Sequence, residues 1–279
     1  GEAHDHRVGP ELDDVALHAL DLLQDRLAGV RDGSEDGVAA ARERAKSLKR
    51  RIPVYTDAVQ GANALELDAQ KLGVDLLSLS AHKFCGPKGA GVLFMKRGTP
   101  FLSQQSGGGQ ERQRRAGTEN VAGIAGTAAA LREAQAGRAA YTEACLYLSK
   151  RLREGASAAI PATTFNGHPT NRLPNNAHFS FEGAQSDQIL AGLDKAGVAA
   201  SAGSACTSAT FEPSHVLTAM GLPLTKASAA LRLTVGPENT DEEIDYVLSV
   251  LPGVIAESRA RSAAGYTAKL RRVARRAKA

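Results

Sequence analysis

The stretch from Arg51 to Ser80 constrains the fold most. Ile52-Pro53-Val54-Tyr55-Thr56 reads as a short strand, Asn63 to Leu72 as a helix, and Asp75-Leu76-Leu77-Ser78-Leu79-Ser80 as a second, more apolar strand. Two strands joined through a helix run parallel, because the crossover returns the chain to the same end of the sheet. Parallel strands are covered on both faces and buried. The expectation is an α/β chain with a mostly parallel sheet flanked by helices.

A third strand, Ala90-Gly91-Val92-Leu93-Phe94-Met95, follows the turn-rich Cys85-Gly86-Pro87-Lys88-Gly89. Two alanine-rich helices come next, about Asn120 to Ala134 and Ala139 to Glu154. Alternation then resumes with strand Ala177 to Phe181, helix Ser186 to Lys195, strand Val198 to Ala200, helix Pro213 to Met220 and strand Leu231 to Val235. This half is expected to form a smaller α+β unit. A last helix opens at Thr240-Asp241-Glu242-Glu243, where Thr240 caps and Glu243 reaches back as a capping box, and Pro252 should kink or divide it. Residues 1 to 48 are charge-rich, with one amphipathic stretch from Val15 to Leu23 that suits a helix, and no chemistry attaches to them.

Bulk properties exclude several classes. A chain of 279 residues with 43% hydrophobic and 23% charged residues is ordinary globular material. The net charge of +4 is mild, and much of it sits in the tail from Lys269 to Lys278, so a dedicated nucleic-acid binder is not expected. The 3 cysteines are odd in number and lack CxxC spacing, which indicates neither a disulfide framework nor a zinc site and fits a reducing cytoplasm. No apolar run reaches membrane-spanning length, and Gly1 to His6 lacks a signal-peptide pattern; His4 and His6 read as a solvated tail.

The chemistry gathers at strand ends. Asp57 ends one strand and Ser80-Ala81-His82-Lys83 ends the next, and in doubly wound sheets ligands bind beyond the carboxyl ends of strands. A lysine amine and an acidic partner for a protonated pyridine nitrogen are the two protein groups that pyridoxal 5'-phosphate requires. A structural ion pair or two solvated charges would account for the same two residues. A third feature favours chemistry: Cys206 lies in Ser201-Ala202-Gly203-Ser204-Ala205-Cys206-Thr207-Ser208, among small residues that suit an accessible, reactive thiol. Cys145, on a helix within Glu143 to Leu148, reads as a packing residue, and Cys85 as a small residue in a tight turn.

At this point the sequence resembles the cysteine desulfurase family. The resemblance is carried in order by Thr56-Asp57-Ala58-Val59-Gln60, Ser78-Leu79-Ser80-Ala81-His82-Lys83-Phe84, Gly86-Pro87-Lys88-Gly89, Gly107-Gly108-Gly109-Gln110-Glu111, Arg115-Ala116-Gly117-Thr118-Glu119-Asn120, Gly203 to Ser208 and Ala230-Leu231-Arg232-Leu233. It covers about Arg51 to Ala260, and the run from Thr207 to Leu217 after Cys206 is similar to the long-loop subgroup, of the housekeeping and nitrogenase-maturation type. Tyr55 stands where the family often has histidine, Cys85 where it usually has an aromatic residue, and the family's first third has no recognisable counterpart.

The resemblance implies a fold-type-I pyridoxal-phosphate transferase. Residues 49–139 would belong to the cofactor-binding large domain and 140–279 to the small C-terminal domain with the cysteine loop, leaving 1–48 unassigned. Lys83 would bond the cofactor aldehyde, Asp57 would pair with its ring nitrogen and Gln60 with its phenolic oxygen. Ser80 and His82 would bind phosphate, joined by Thr118 from the other subunit of a homodimer, and Arg232 would clamp the substrate carboxylate. The implied activity removes sulfur from L-cysteine, leaving L-alanine and a persulfide on Cys206 for an iron-sulfur scaffold or a tRNA-thiolation relay. A selenocysteine lyase or aminotransferase of the same fold is one alternative, and a noncatalytic scaffold that keeps the acceptor-docking surface is another.

Overall fold

The computed structural model describes the backbone of residues 33–203 and 213–276 and the side chains of 37–203 and 213–263. Cys206, the stretch Val15 to Leu23, His4 and His6 lie outside those residues. Helix α1 (Gly33–Ser47) precedes strands β1 (Tyr55–Asp57), β2 (Leu76–Ser80) and β3 (Gly91–Met95). Helices α2 (Val121–Ala136) and α3 (Arg138–Ala159) lead to β4 (Thr163–Phe165), β5 (Asn176–Phe181), α4 (Ser186–Lys195), α5 (His215–Ala219), α6 (Leu224–Ala227), β6 (Ala230–Thr234) and α7 (Asp241–Arg276). Two three-stranded sheets result, ordered β1-β2-β3 and β4-β5-β6. The mixed α/β architecture agrees with the sequence reading.

In the first sheet β1 and β2 are parallel, as the crossover pattern predicts, with Tyr55 opposite Leu76 and Asp57 opposite Ser78. The third strand departs from a parallel sheet, because β3 runs antiparallel to β2 and places Leu93 opposite Ser78. Only the turn-rich residues 81–90 separate β2 from β3, too few for a parallel crossover. Leu77, Leu79, Ala81 and Phe84 bury one side of this sheet with Ala62 and Val74. Alternate residues point the other way, so Asp57, Ser78 and Ser80 share the opposite face.

The link between β1 and β2 is a series of turns rather than the expected helix. A helix here would need the carbonyls of Ala62 and Leu65 to accept from amides four residues onward. Gln135 of α2 takes both instead, donating through Nε2 to Ala62 O at 2.7 Å and to Leu65 O at 3.0 Å. Asp68 Oδ1 accepts from the amides of Gln70 and Lys71, which starts a fresh local turn.

An ion pair fastens α1 to this unit. Asp75 is 2% exposed and receives Arg42 at 2.7 Å, Arg51 at 3.5 Å and the Val54 amide at 2.9 Å. Burial alone would raise its carboxyl, but the Val54 amide and the two guanidinium groups hold it below its usual 3.8.

The second sheet is antiparallel throughout, with His178 facing Arg232 across β5 and β6. Its core holds Phe179, Phe181, Leu152, Ile189, Leu193, Leu231, Leu251 and Ile255. Cys145 is fully buried in the same core, in keeping with its reading as a packing residue. Helix α4 has the bounds read from the sequence, whereas the short β4 was not anticipated and the segment from Val198 to Ala200 forms no strand. The capping box forms: the Glu243 amide donates to Thr240 Oγ1 at 3.3 Å and the Thr240 amide to Glu243 Oε2 at 3.2 Å. Pro252 does not divide α7, which continues to Arg276. The lost amide bond is offset by burial of Leu251 and Ile255 on either side of the proline.

Candidate active site

The expected strand-end residues converge on one face of the first sheet. Asp57 closes β1, Ser80 closes β2, and a single 3-10 turn (Ala81–Phe84) carries His82 and Lys83. That turn is clamped from both sides. Ala81 and Phe84 are buried beneath it, and a side chain on Gly86 would meet Ala81 Cβ and O at 2.9 Å and Ala130 Cβ of α2 at 3.2 Å. Cys85 takes a left-handed φ of 62° and its amide donates to Ala81 O, so its backbone closes the turn. Asn63 Nδ2 donates to Lys83 O at 3.0 Å, pinning the backbone while the lysine side chain stays exposed.

Around Asp57 runs a short polar chain. Its Oδ1 accepts from the Val59 amide at 3.0 Å and from Ser78 Oγ at 3.4 Å, and Ser78 Oγ lies 2.7 Å from the Tyr55 hydroxyl. These bonds hold one carboxylate oxygen and leave Oδ2 for a ligand cation. Beside it Ser80 Oγ and His82 Nδ1 stand 2.9 Å apart, a hydroxyl and imidazole pair that can turn outward to an anion. Gln60 is exposed in the turn after β1. Tyr55 and Ser78 join the site without having been singled out; polar residues at alternate positions 55, 57, 78 and 80 were the signal.

Two expected residues lie elsewhere. Thr118 is exposed just before Asn120, whose Oδ1 accepts the Gly123 amide at 2.9 Å and caps α2. Arg232 belongs to the second sheet, opposite His178, with its backbone bridged to Ser201. Asn166 Nδ2 lies 3.0 Å from His178 Nδ1. Burial, followed by the charges of Arg232 and Arg172, pushes the His178 imidazole down to about 4.

A pH test follows from this depression. Above about 6.5 His178 is neutral in both folded and unfolded chains; below it the unfolded chain gains a proton that the folded chain refuses until about 4. Stability is therefore present above pH 6.5 and falls toward pH 4, by up to about 3 kcal/mol at 1.36 kcal/mol per unit. Urea melts of the parent and of His178→Asn across this window should converge at low pH. Parallel curves would contradict the assignment.

Residues 31–247 match the Aminotransferase class-V family. The chain belongs to that family. Among curated relatives, the cysteine desulfurase IscS of Clostridium botulinum strain Hall is 46% identical over 213 residues, covering 76% of this chain and 54% of the relative. The cysteine desulfurase IscS of Methanosarcina thermophila is 42% identical over 247 residues, 88% of this chain and 59% of the relative. A solved NifS-like protein superposes with a TM-score of 0.70 at 31% identity, over 80% of this chain and 57% of that one. The chain thus spans about half the length of the curated relatives it matches. The family is pyridoxal-phosphate dependent. The donor set fits that cofactor: an open carboxylate oxygen for a protonated ring nitrogen, an exposed amine on a fixed turn, and a hydroxyl and imidazole pair for phosphate, all at the ends of two parallel strands. Among the described residues, no helix is long and apolar enough to cross a membrane.

Proposed function

We propose that this chain carries the cofactor lysine and the sulfur-accepting thiol of a cysteine desulfurase, with residues 49–139 as part of the cofactor unit and 140–279 as the small unit. The observation that carries the reading is the clamped turn after β2, which presents Lys83 beyond strand ends that also hold Asp57 and Ser80. Bound there, pyridoxal 5'-phosphate supplies an electron sink for the bonds of an amino-acid substrate.

The residues divide the work. Asp57, steadied by Val59 and Ser78, keeps the ring nitrogen protonated through a charge-assisted hydrogen bond worth about 1.5–3 kcal/mol. Gln60 bonds the ring oxygen. Ser80 and His82 hold phosphate, with Thr118 arriving from a second copy in a homodimer. Arg232 grips the substrate carboxylate through its planar fork. Lys83 transfers protons once its amine is free. Cys206, as thiolate, attacks the sulfur of L-cysteine: an S–S bond forms, the C–S bond breaks, and the carbon regains a proton to give L-alanine and a Cys206 persulfide. An ordinary thiol has a pKa near 8.5, so Cys206 needs activation at neutral pH. The acceptor is a sulfur-relay or iron-sulfur scaffold protein, and the cytoplasm is the proposed compartment.

The direct test is an absorption titration with pyridoxal 5'-phosphate. The parent chain should develop a visible band that is absent in Lys83→Ala. An unchanged band in that variant would overturn the Lys83 assignment.

A further inference from the structure

His178 and Arg232 stand directly opposite each other on β5 and β6. We propose, resting on the assignment of Arg232 to the substrate carboxylate, that His178 is a second donor to that carboxylate, its Nε2–H and the guanidinium forming one clamp.

The Val235 amide donates to Asn175 O and the Phe181 amide to Ala229 O, so odd-numbered residues of β6 make the hydrogen-bonded pairs with β5. His178 and Arg232 therefore form a pair of the other kind, in which Cα atoms approach to about 4.5 Å and side chains lie closest. Both leave the sheet on the face away from the core, because Phe179, Phe181, Leu231 and Leu233 bury the other face. Arg232 is half-buried, yet among the described residues its guanidinium has neither a hydrogen-bond acceptor nor a carboxylate, and its nitrogens still reach solvent. None of β4, β5 and β6 carries an acidic residue. The other cations at this sheet are engaged: Arg172 by the carbonyls of Asn166, His168 and Asn176, and Lys226 by Thr164 Oγ1. An idle guanidinium on a face without acids calls for an anion from outside the chain.

The imidazole is backed from within the fold. Asn166 Nδ2 lies 3.0 Å from His178 Nδ1 and donates to Ser180 Oγ at 2.8 Å, and these two neighbours are 5% and 1% exposed. The assignment that leaves fewest buried donors unpaired has Nδ2 donate to both, Nδ1 accept and the ring proton sit on Nε2. Turning the amide round would put an NH2 with two orphaned donors where one acceptor, Asn166 Oδ1, now lacks a partner. Nε2 has no partner among the described residues and reaches solvent beside Arg232. Burial, followed by the charges of Arg232 and Arg172, pushes the imidazole down to about 4, so at neutral pH it stands beside a guanidinium without repelling it. A carboxylate offers about four lone-pair sites; an arginine fork takes two and leaves room for a third N–H.

Nitrogen NMR of the histidine rings, on this chain titrated with L-alanine, tests the proposal, because that proposed product carries the same α-carboxylate as L-cysteine. The His178 ring should be protonated at Nε2 in the free chain. Its Nε2 resonance should shift saturably with L-alanine but not with L-alaninamide, which lacks the carboxylate. His178→Asn keeps a polar group beside Asn166 and removes the Nε2 donor; it should weaken L-alanine binding about ten-fold or more, as one hydrogen bond to a charged group does at about 1.4 kcal/mol per decade. His178→Gln carries an amide donor to the place of Nε2 and should bind within about three-fold of the parent. A ring protonated at Nδ1, an equal loss in both variants, or Arg232-dependent binding that is unchanged in His178→Asn would overturn the role of His178 and leave that of Arg232 standing. Binding that survives Arg232→Ala, or no binding by the parent, would instead overturn the reading of Arg232 and the clamp with it.

Discussion

Cys206→Ser is expected to leave the cofactor's visible band intact while lowering sulfide release from L-cysteine by on the order of a thousandfold or more, as loss of an enzyme's nucleophile commonly does. A serine hydroxyl at neutral pH is almost wholly protonated and is a poor acceptor of sulfur, whereas the proposed mechanism assigns substrate binding to Arg232 and the groups around Lys83. Cys145→Ser supplies the control. That thiol is fully buried with Sγ 3.8 Å from Val235 O, and burial raises its pKa. The exchange should cost stability through a hydroxyl placed in an apolar core, yet leave turnover per folded molecule unchanged. Mass spectrometry after exposure to cysteine should find one added sulfur on the peptide containing Cys206 and none on that containing Cys145. Sulfide release at the parent rate by Cys206→Ser, or a persulfide confined to another cysteine, would remove Cys206 from its proposed role.

The parts of the fold that were legible in the sequence depend on neighbours close along the chain. Helix α4 and the Thr240 to Glu243 capping box obey local hydrogen bonding and local amphipathicity, and both form. What the sequence concealed depends on distant partners. Residues 63–72 have helical composition, but Gln135 arrives from far along the chain and takes the carbonyls that a helix would need. Strand β4 has only Thr163 to Phe165, and β5 alone gives it a ladder. Val198 to Ala200 carries a strand signal without a completed ladder. The site divides in the same way. The strand-end positions of Asp57, Ser80, His82 and Lys83 were readable because strand ends can be located from the apolar runs before them. Tyr55 and Ser78 left only the trace of polar residues at alternate positions, and their contact, which spans two strands, needed β1 and β2 set in register.

The 279-residue chain by itself should bind pyridoxal 5'-phosphate several powers of ten more weakly than a full-length relative such as the Clostridium botulinum enzyme, of which it covers 54%. Phosphate in such sites is held by backbone amides at a helix N-terminus together with side-chain donors. The donors proposed here are Ser80, His82 and, from a second copy, Thr118. Ser80 and His82 already spend one contact on each other at 2.9 Å, and Thr118 sits on an exposed loop outside the strand-end cluster. Each missing charge-assisted bond costs about 1.5–3 kcal/mol, and about 1.4 kcal/mol is a decade of affinity, so two or three absent donors suffice for the expected loss. Covalent attachment to Lys83 compensates little, because a ring fixed at one end without its phosphate samples orientations that forfeit the bond to Asp57. Equilibrium titration by absorbance, with the relative measured alongside, decides the matter. Equal affinities would show that this chain's own residues complete the phosphate cup, and the donor set named here would need to be extended.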